Sequence, residues 1–296
     1  MSEQTIGIPQ ALIFFKYPSF WQVLLKDLGF KVILSPKTNR QIMENGCKIA
    51  ETESCLSFKV YQGHVDYLIN QVKPDYILAP RIISLRDKHL SCPKFFGLPD
   101  LVKLQGHNLK ILEPEFDFNK QSFKQTVFDL ALSLGKNRQQ IEKAYQIALK
   151  IEIEDWRKKA EQYFEKIKSS KKKIVLISHP YTLFDDYVNL NIRKKLAANN
   201  VEPIDIDSVP FDFEATFCHW DFESELLNQV RQVLKEKIDA AIQLSTFNCG
   251  CDSVVKEFVL DEFKKAAVPY LSLIIDEHTG EAGLLTRIEA FLDTLK

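Results

Sequence analysis

Residues 5–34, TIGIPQALIFFKYPSFWQVLLKDLGFKVIL, contain two short apolar runs separated by a longer amphipathic stretch. The run at each end has the length and composition of a buried strand, and residues 9–28 carry apolar side chains near helical spacing. Gly29 is a typical helix stop, and Pro18 predicts a break in the helix because an interior proline removes a backbone donor. A strand, a helix and a second strand in this order predict a parallel sheet.

The same alternation continues along the chain. Short apolar runs predict strands at residues 5–8, 31–34, 76–79, 110–112, 174–177, 203–206, 240–244 and 269–275. Between the two groups of strands, apolar residues recur every three to five positions from Arg138 onward, which predicts one long helix. The sequence therefore predicts an α/β protein with an N-terminal domain (1–137), a connecting helix (138–170) and a C-terminal domain (171–296).

Composition excludes several classes of protein. The chain has 296 residues, of which 45% are hydrophobic, and its 39 basic and 40 acidic residues leave a formal charge of -1. This balance predicts no binding to nucleic acid or to an anionic membrane surface. The N-terminus, MSEQTIGIPQ, lacks a basic segment followed by an apolar stretch, and no window approaches the roughly 18 apolar residues of a membrane span. We expect a soluble, cytoplasmic protein.

Three of the six cysteines, Cys55, Cys92 and Cys249, stand where a helix or strand gives way to a loop. The gaps between them are 37 and 157 residues, unlike the close cysteine pairs of a structural zinc site. Only a folded scaffold can bring such distant thiols together. An iron–sulfur cubane accepts this arrangement, and three protein thiolates leave one iron open. The alternative is that these cysteines are buried small apolar residues.

Two of these cysteines follow predicted strands, at the sheet edge where parallel α/β sheets bind ligands. Arg81 leaves a strand that leads to Cys92, and it has two interpretations: an anion or cluster partner, or a surface ion pair. Pro93 predicts a turn directly after Cys92. Cys249 precedes a predicted helix start, where the helix dipole favours thiolate over thiol.

Other polar residues near predicted strand ends have functional and structural interpretations. Glu277 and His278 follow the last strand and are weak candidates for a catalytic proton donor and acceptor. His179 and Tyr181 leave the first strand of the second half and are candidates for lining a cleft. His64 falls in a helix with an apolar face, which favours a hydrogen-bonded packing histidine over a ligand.

Several segments together resemble one protein family. They are IGIPQALIFFKYPSFWQVLLKDLGFKVILSPKTN, ETESCLSFKVYQGHVDYL, DYILAPRI, CPKFFGLPDLV, SHPYTLFDDYVNLNI, STFNCGCDS and IIDEHTGEAGLLTRIEAFLD. The sequence resembles the acyl-CoA dehydratase activase-related proteins, also called CoA protein activases. They belong to the superfamily of 2-hydroxyacyl-CoA dehydratase subunits, benzoyl-CoA reductase subunits and double-cubane cluster proteins. The resemblance covers residues 6–295.

The resemblance implies two flavodoxin-like (Rossmann-like) domains and a 4Fe-4S cluster with Cys55, Cys92 and Cys249 as cofactor-binding metal ligands. It also implies electron transfer in anaerobic metabolism. Low-potential electrons would come from a separate ATP-hydrolysing activase with its own iron–sulfur cluster and would serve a reduction or dehydration. This sequence contains no Gly-rich phosphate loop. The ATPase is therefore expected in another polypeptide.

Two alternatives stay open. Cys47, Cys218 and Cys251 fall where the family does not lead us to expect cysteine, yet six thiolates would suit a double-cubane 8Fe cluster reductase. The chain would otherwise be a non-catalytic accessory that carries a cluster or docks the activase. The superfamily pairs related subunits, which implies a homodimer or a related second subunit. No segment carries a CoA-specific pattern, so the sequence does not identify the substrate.

Overall fold

The computed structural model describes residues 3–106 and 110–295. The chain divides into two compact units. Unit 1 comprises Met1–Glu51, Phe58–Asp155 and His219–Asp221. Unit 2 comprises Thr52–Ser57, Trp156–Cys218 and Phe222–Lys296. The division falls inside a helix, and the domain boundaries at residues 137/138 and 170/171 stay a prediction.

A four-stranded parallel sheet forms the centre of unit 1. The strands of this unit are β1 (Thr5–Ile8), β2 (Lys31–Leu34), β3 (Tyr76–Leu78), β4 (Arg81–Ser84), β5 (Lys110–Leu112) and β6 (Glu115–Asp117). The main sheet has the order β2-β1-β3-β5, and β4 pairs with β6 in a separate parallel pair. The predicted strands of this half are confirmed, while β4 and β6 were not predicted.

Helices connect these strands. They are α1 (Phe20–Asp27), α2 (Arg40–Ile49), α3 (Leu56–Tyr67), α4 (Pro93–Phe96), α5 (Leu98–Gln105), α6 (Phe123–Ser133) and the first half of α7 (Arg138–Ile167). The predicted break near Pro18 is confirmed, because a short 3-10 helix, Leu12–Phe15, precedes α1. Gly29 ends this segment with a φ of 83°, the left-handed conformation that glycine adopts at little cost.

Helices α2 and α3 cross at two glycines. A Cβ added to Gly46 would lie 1.9 Å from the backbone oxygen of Lys59, and one added to Gly63 would lie 2.0 Å from that of Ile42. Only hydrogen fits at either position, because the obstructing atoms belong to backbone. These two glycines therefore fix the distance between α2 and α3. Residues 50–55 connect the two helices.

His64 lies at the buried face of α3. Its Nδ1 is 2.8 Å from Ser35 Oγ and its Nε2 is 2.9 Å from Thr38 Oγ1. One hydroxyl donates and the other accepts, which suits a neutral imidazole. Burial lowers the pKa of His64 to about 3. The prediction of a hydrogen-bonded packing histidine is confirmed.

Unit 2 contains a second four-stranded parallel sheet. Its strands are β7 (Lys172–Ile177), β8 (Val201–Asp205), β9 (Ala240–Thr246) and β10 (Tyr270–Ile275). Its helices are the second half of α7, α8 (Pro180–Leu183), α9 (Ile192–Ala198), α10 (Asp221–Val233), α11 (Gly250–Lys265) and α12 (Glu281–Thr294). All seven residues of β9 are buried, as expected of a central strand covered on both faces.

Both sheets have the same strand order. In unit 2 the order is β8-β7-β9-β10, so in chain order each four-stranded sheet reads second, first, third and fourth strand of that sheet. This order begins the flavodoxin-like arrangement, and the predicted α/β class with two such domains is confirmed. The predicted long helix is present as α7. Among the described residues, no helix has the length and apolar composition needed to cross a membrane.

The glycine crossing generates a stability prediction. Gly46→Ala and Gly63→Ala should each lower the free energy of unfolding by about 2 kcal/mol or more, because the added methyl meets backbone that cannot rotate away. Gly283→Ala in α12 is the matched control: its new Cβ meets nothing within 4 Å, so helix propensity should leave it neutral or stabilise it by up to ~1 kcal/mol. Urea unfolding followed by circular dichroism measures both. Equal stability of the Gly46 and Gly283 variants would contradict the close crossing.

His64 generates a pH prediction. Its pKa is about 3 in the fold and about 6.5 when unfolded, so below pH 6.5 the unfolded chain binds more protons. Stability should therefore be fully present above pH 6.5 and fall by about 1.4 kcal/mol per pH unit as the pH drops toward 3. Between pH 7 and pH 5 the wild-type chain should lose about 2 kcal/mol more than His64→Gln. Identical pH dependence of urea unfolding in the two proteins would refute this.

Candidate functional site

The two central strands of unit 2, β7 and β9, lead into loops at the same edge of their sheet. They are parallel neighbours, with Ile174 opposite Ala240 and Ile177 opposite Gln243. From β7 the chain continues to β8 on one side, and from β9 it continues to β10 on the other. This reversal is the topological switch point of an open α/β sheet, where a crevice forms beyond the carboxyl ends of the strands.

Local hydrogen bonds fix the backbone where both strands end. Ser178, directly after β7, donates its hydroxyl to the carbonyl of Leu244 on β9 over 2.6 Å. After β9, Asn248 adopts a left-handed φ of 60°, and Cys249 follows as the N-cap residue of α11. Ser253 donates its hydroxyl to the Cys249 carbonyl over 2.7 Å. These contacts fix the backbone positions of His179 and Cys249 beyond the ends of their strands.

His179, Cys249 and Asp252 come together at this switch point. One ring nitrogen of His179, Sγ of Cys249 and one carboxylate oxygen of Asp252 all lie within 4.8 Å of one another. The three residues are buried, with exposed fractions of 3%, 8% and 2%. Nε2 of His179 lies 3.1 Å from Asp252 Oδ1 and 3.3 Å from Glu223 Oε1. Neither contact has hydrogen-bond geometry, and Nε2 makes no hydrogen bond with any described residue.

Aromatic rings cover this group. Tyr181 stacks on the imidazole of His179 with ring centroids 5.0 Å apart. Phe222 lies edge-on to the same imidazole at 5.9 Å and to Tyr181 at 6.2 Å. His179 thus lies beside Cys249, with Tyr181 stacked on it. That these two residues line a cleft stays a prediction. The apolar cover lowers the local dielectric, so charges in the group interact strongly.

The charges of this group act on one another. Burial opposes the imidazolium of His179, but the charge of Asp252 and the contacts of the ring with Asp252, Cys249 and Glu223 together outweigh burial, and the pKa of His179 is raised well above its usual range. Burial first, and then the charge of Asp252, raise the pKa of Cys249 to about 12. Burial and the neighbouring carboxylate thus oppose the predicted preference for thiolate at the N-terminus of α11.

Cys55 belongs to the same unit. The segment Thr52–Ser57 is anchored to the loops of this site on both sides of Cys55. Asn248 donates to the Glu53 carboxylate over 3.1 Å, and the hydroxyls of Ser57 and Thr182 lie 3.3 Å apart. A negative charge on Cys55 also raises the pKa of Cys249. The structure thus brings Cys55 and Cys249, two of the three predicted ligands, into one neighbourhood.

Cys92, the third predicted ligand, lies in unit 1. It is the N-cap residue of α4, and Pro93 takes the first helical position, where its missing N–H and fixed φ are tolerated. The predicted turn at Pro93 is therefore the start of a short helix. The neighbouring Ser91 donates its hydroxyl to Asp221 over 2.7 Å, and burial raises the pKa of that carboxyl.

The other predicted residues have local roles. Arg81 makes a bidentate contact with Asp100 at 2.7 and 3.0 Å, so its ion-pair interpretation is the one that the structure supports. After β10, Asp276 accepts from the backbone N–H of His278 over 3.0 Å and from the Thr279 hydroxyl over 2.7 Å. His278 is exposed in this turn. Catalysis by Glu277 and His278 stays a prediction.

None of the six cysteines is in a disulfide. Cys47, Cys55 and Cys92 are half-buried, whereas Cys218, Cys249 and Cys251 are buried. Cys47 lies in α2 of unit 1, and Cys251 lies in the first turn of α11 next to the site. Cys218 lies in the loop before α10. The three extra cysteines are thus in different segments, and their role in a second cubane stays a prediction.

Sequence reasoning missed Asp252 and Glu223 as members of the site. Asp252 follows Cys249 by three residues, so a helix beginning at Gly250 returns its carboxylate toward the sulfur. That spacing was a usable signal. Glu223 gave none, because it lies in α10, which was not predicted and reaches the site only through the tertiary fold.

Comparison with protein families gives one match. The family described as "CoA enzyme activase uncharacterised domain" matches residues 5–209, more than two thirds of the chain. The chain belongs to this family. Family membership agrees with the resemblance to CoA protein activases found in the sequence. Cys55, Cys92 and His179 lie inside the matched residues, and Cys249 lies beyond them.

Comparison with other proteins adds little. No curated protein matches the chain in sequence. Among solved structures, a crystal structure of ZnuA is 11% identical over the whole of both chains with a TM-score of 0.28. A zinc-bound deletion mutant of ZnuA is 11% identical, covering 99% and 97% of the two chains, with a TM-score of 0.29. A Zn(II)-bound mutant of AdcAII from Streptococcus pneumoniae is 13% identical over both whole chains, with a TM-score of 0.24. Likeness at this level carries no argument about function.

Proposed function

We propose that this member of the CoA enzyme activase family is an iron–sulfur protein that takes low-potential electrons from a separate ATP-hydrolysing activase. Its ligands would be Cys55 and Cys249 of unit 2 together with Cys92 of unit 1. The observation that carries the proposal is the placement of Cys55 and Cys249 in adjoining loops at the switch point of the second sheet. Thiolates are the usual protein ligands of such clusters.

The residues present suit a 4Fe-4S group. Two thiols from distant segments, 55 and 249, share one neighbourhood, which independent buried cysteines would not require. Three protein thiolates would leave one iron open to a substrate or an exchangeable ligand. When bound, such a group would accept and release single electrons.

The buried carboxylates support the low-potential part of the proposal. Asp252 and Glu223 have exposed fractions of 2% and 3% and face His179 beside Cys249. Negative charge close to an iron–sulfur cluster disfavours the addition of an electron and lowers the reduction potential. Asp252 and Glu223 would therefore keep the reduction potential of the cluster low enough for it to reduce a difficult acceptor. His179 would offset part of this charge.

The description of the family is the reason to propose an ATP-hydrolysing activase as the partner. Its description refers to activation of CoA enzymes, while the sequence contains no Gly-rich phosphate loop. The ATP-driven step thus falls to a partner, and this chain would act in a reduction or dehydration. A non-catalytic role in carrying the cluster or docking the partner is the alternative.

Anaerobic purification tests the proposal. The wild-type protein should be brown, with about four iron and four sulfide per chain, as one cubane requires. Cys55→Ser, Cys92→Ser and Cys249→Ser should each lose most of this iron, because each removes one of three protein ligands. Cys47→Ser is the matched control, since Cys47 is half-buried like Cys55 and Cys92, and it should keep its iron. Addition of a matching activase with ATP should then reduce the cluster, as followed by EPR.

Other results would contradict the proposal in distinct ways. A colourless protein after anaerobic reconstitution would remove the cluster altogether. Unchanged iron in Cys92→Ser would show that the ligand set is wrong. About eight iron per chain, with loss in Cys47→Ser as well, would favour the double cubane. Full reduction by the activase without turnover of any acyl-CoA would favour the accessory role.

A further inference from the structure

The group at the switch point contains ligand types that the cluster proposal does not use. We infer that His179, Cys249 and Asp252 form a binding site for one divalent transition-metal ion that accepts nitrogen, sulfur and oxygen ligands together, such as Zn²⁺ or Co²⁺. The ion would bind only when the chain carries no cluster, because Cys249 cannot bind the cluster and the ion at the same time. The inference does not rest on the cluster, since it needs neither Cys55 nor Cys92.

The distances are close to those of a metal centre. Bonds of 2.0–2.3 Å in a tetrahedron place neighbouring ligand atoms about 3.3–3.8 Å apart. The three donor atoms already lie within 4.8 Å of one another, and His179 Nε2 lies 3.1 Å from Asp252 Oδ1. A contraction of about 1 Å or less, within reach of side-chain rotation, would complete the geometry.

The ring nitrogen Nε2 of His179 points into the site. It is buried between two carboxylate oxygens, 3.1 Å from Asp252 Oδ1 and 3.3 Å from Glu223 Oε1, and neither contact is aligned as a hydrogen bond. This arrangement of a nitrogen and an oxygen around one point is one that a metal ion can occupy in place of the imidazolium proton. A metal bound to Nε2 would draw the Asp252 carboxylate into a bond.

Charge and donor type select the class of ion. Asp252 and Glu223 are buried carboxylates facing one imidazole, and buried charge requires compensation. A divalent cation supplies it in place of the imidazolium, and the protons of His179 Nε2 and of Cys249 leave to solvent on binding. A mixed set with a thiolate and an imidazole suits Zn²⁺ and Co²⁺, whereas Ca²⁺ and Mg²⁺ require oxygen ligands. Three protein ligands leave a fourth position open to water.

Cobalt titration of the full chain tests the site. The protein is purified anaerobically, freed of metal with a chelator, and titrated with Co²⁺ alone. We expect one equivalent to bind, with a thiolate-to-cobalt charge-transfer band in the near ultraviolet and the intense visible bands of tetrahedral Co²⁺. Asp252→Asn and His179→Gln should each weaken binding by about tenfold or more, since even an outer partner of a metal ligand contributes 10–100-fold.

Matched controls separate this site from the cluster. Cys251→Ser removes a buried cysteine two residues from Cys249 and should leave the cobalt spectrum unchanged. Cys92→Ser should lose the cluster and keep the cobalt band, whereas Cys249→Ser should lose both. Failure of the cluster proposal would therefore leave this result intact, and the reverse also holds.

Folding is checked separately, by thermal unfolding without metal. At the same Zn²⁺ concentration, the Tm of the wild-type chain should rise more than that of Asp252→Asn, because stabilisation by a bound ion grows with its affinity for the folded form. Asp252→Asn preserves the shape of the side chain and decides the question if His179→Gln does not fold. A folded wild-type chain without a charge-transfer band at saturating Co²⁺ would overturn the inference. So would wild-type affinity in both variants.

Discussion

The parallel pairing of β7 with β9 is the constraint on which the site depends. All of β9 and the last four residues of β7 are buried, so neither strand can slide along the other without disrupting the packing of apolar side chains in the core. The register is therefore fixed, and the hydrogen bond from Ser178 to Leu244 extends it beyond the last residue of β7. His179 and Cys249 meet because each is one or a few residues beyond a strand whose position cannot change.

The second feature of the site is buried negative charge. Asp252 and Glu223 both face His179, under a cover of aromatic rings from Tyr181 and Phe222. Such a group is costly unless a cation balances it. A protonated imidazole, a divalent ion or a metal cluster would each do so, and the two proposed occupants are alternative ways of meeting the same electrostatic requirement.

Much of the fold could be predicted from the sequence, because continuous apolar runs such as residues 31–34 and 240–244 are typical of buried parallel strands. The strands β4 and β6 were missed because each begins directly after a proline that follows another strand, Pro80 and Pro114, and a proline within an apolar run argues against a continuing strand. The break at Pro18 and the stop at Gly29 were predictable, since both follow from backbone chemistry alone.

The candidate site was predictable only in part. The position of Cys249 at a helix start followed from the local sequence, but its raised pKa depends on burial and on Asp252, which are tertiary facts. Glu223 could not be found, because its proximity to His179 is created by the packing of α10 and has no counterpart in sequence spacing. Cys55 was predicted from its loop position and family resemblance, and its contacts through Glu53 and Ser57 emerge only in three dimensions.

The central claim is that thiolates of this chain hold an iron–sulfur cluster. X-ray absorption at the iron edge of anaerobically purified protein tests it most directly, because it reports the atoms around iron whatever the reaction is. A 4Fe-4S cluster requires a first shell of sulfur around iron and a second shell of iron, as in a cubane. A first shell of nitrogen and oxygen only, with no iron–iron scattering, would contradict it.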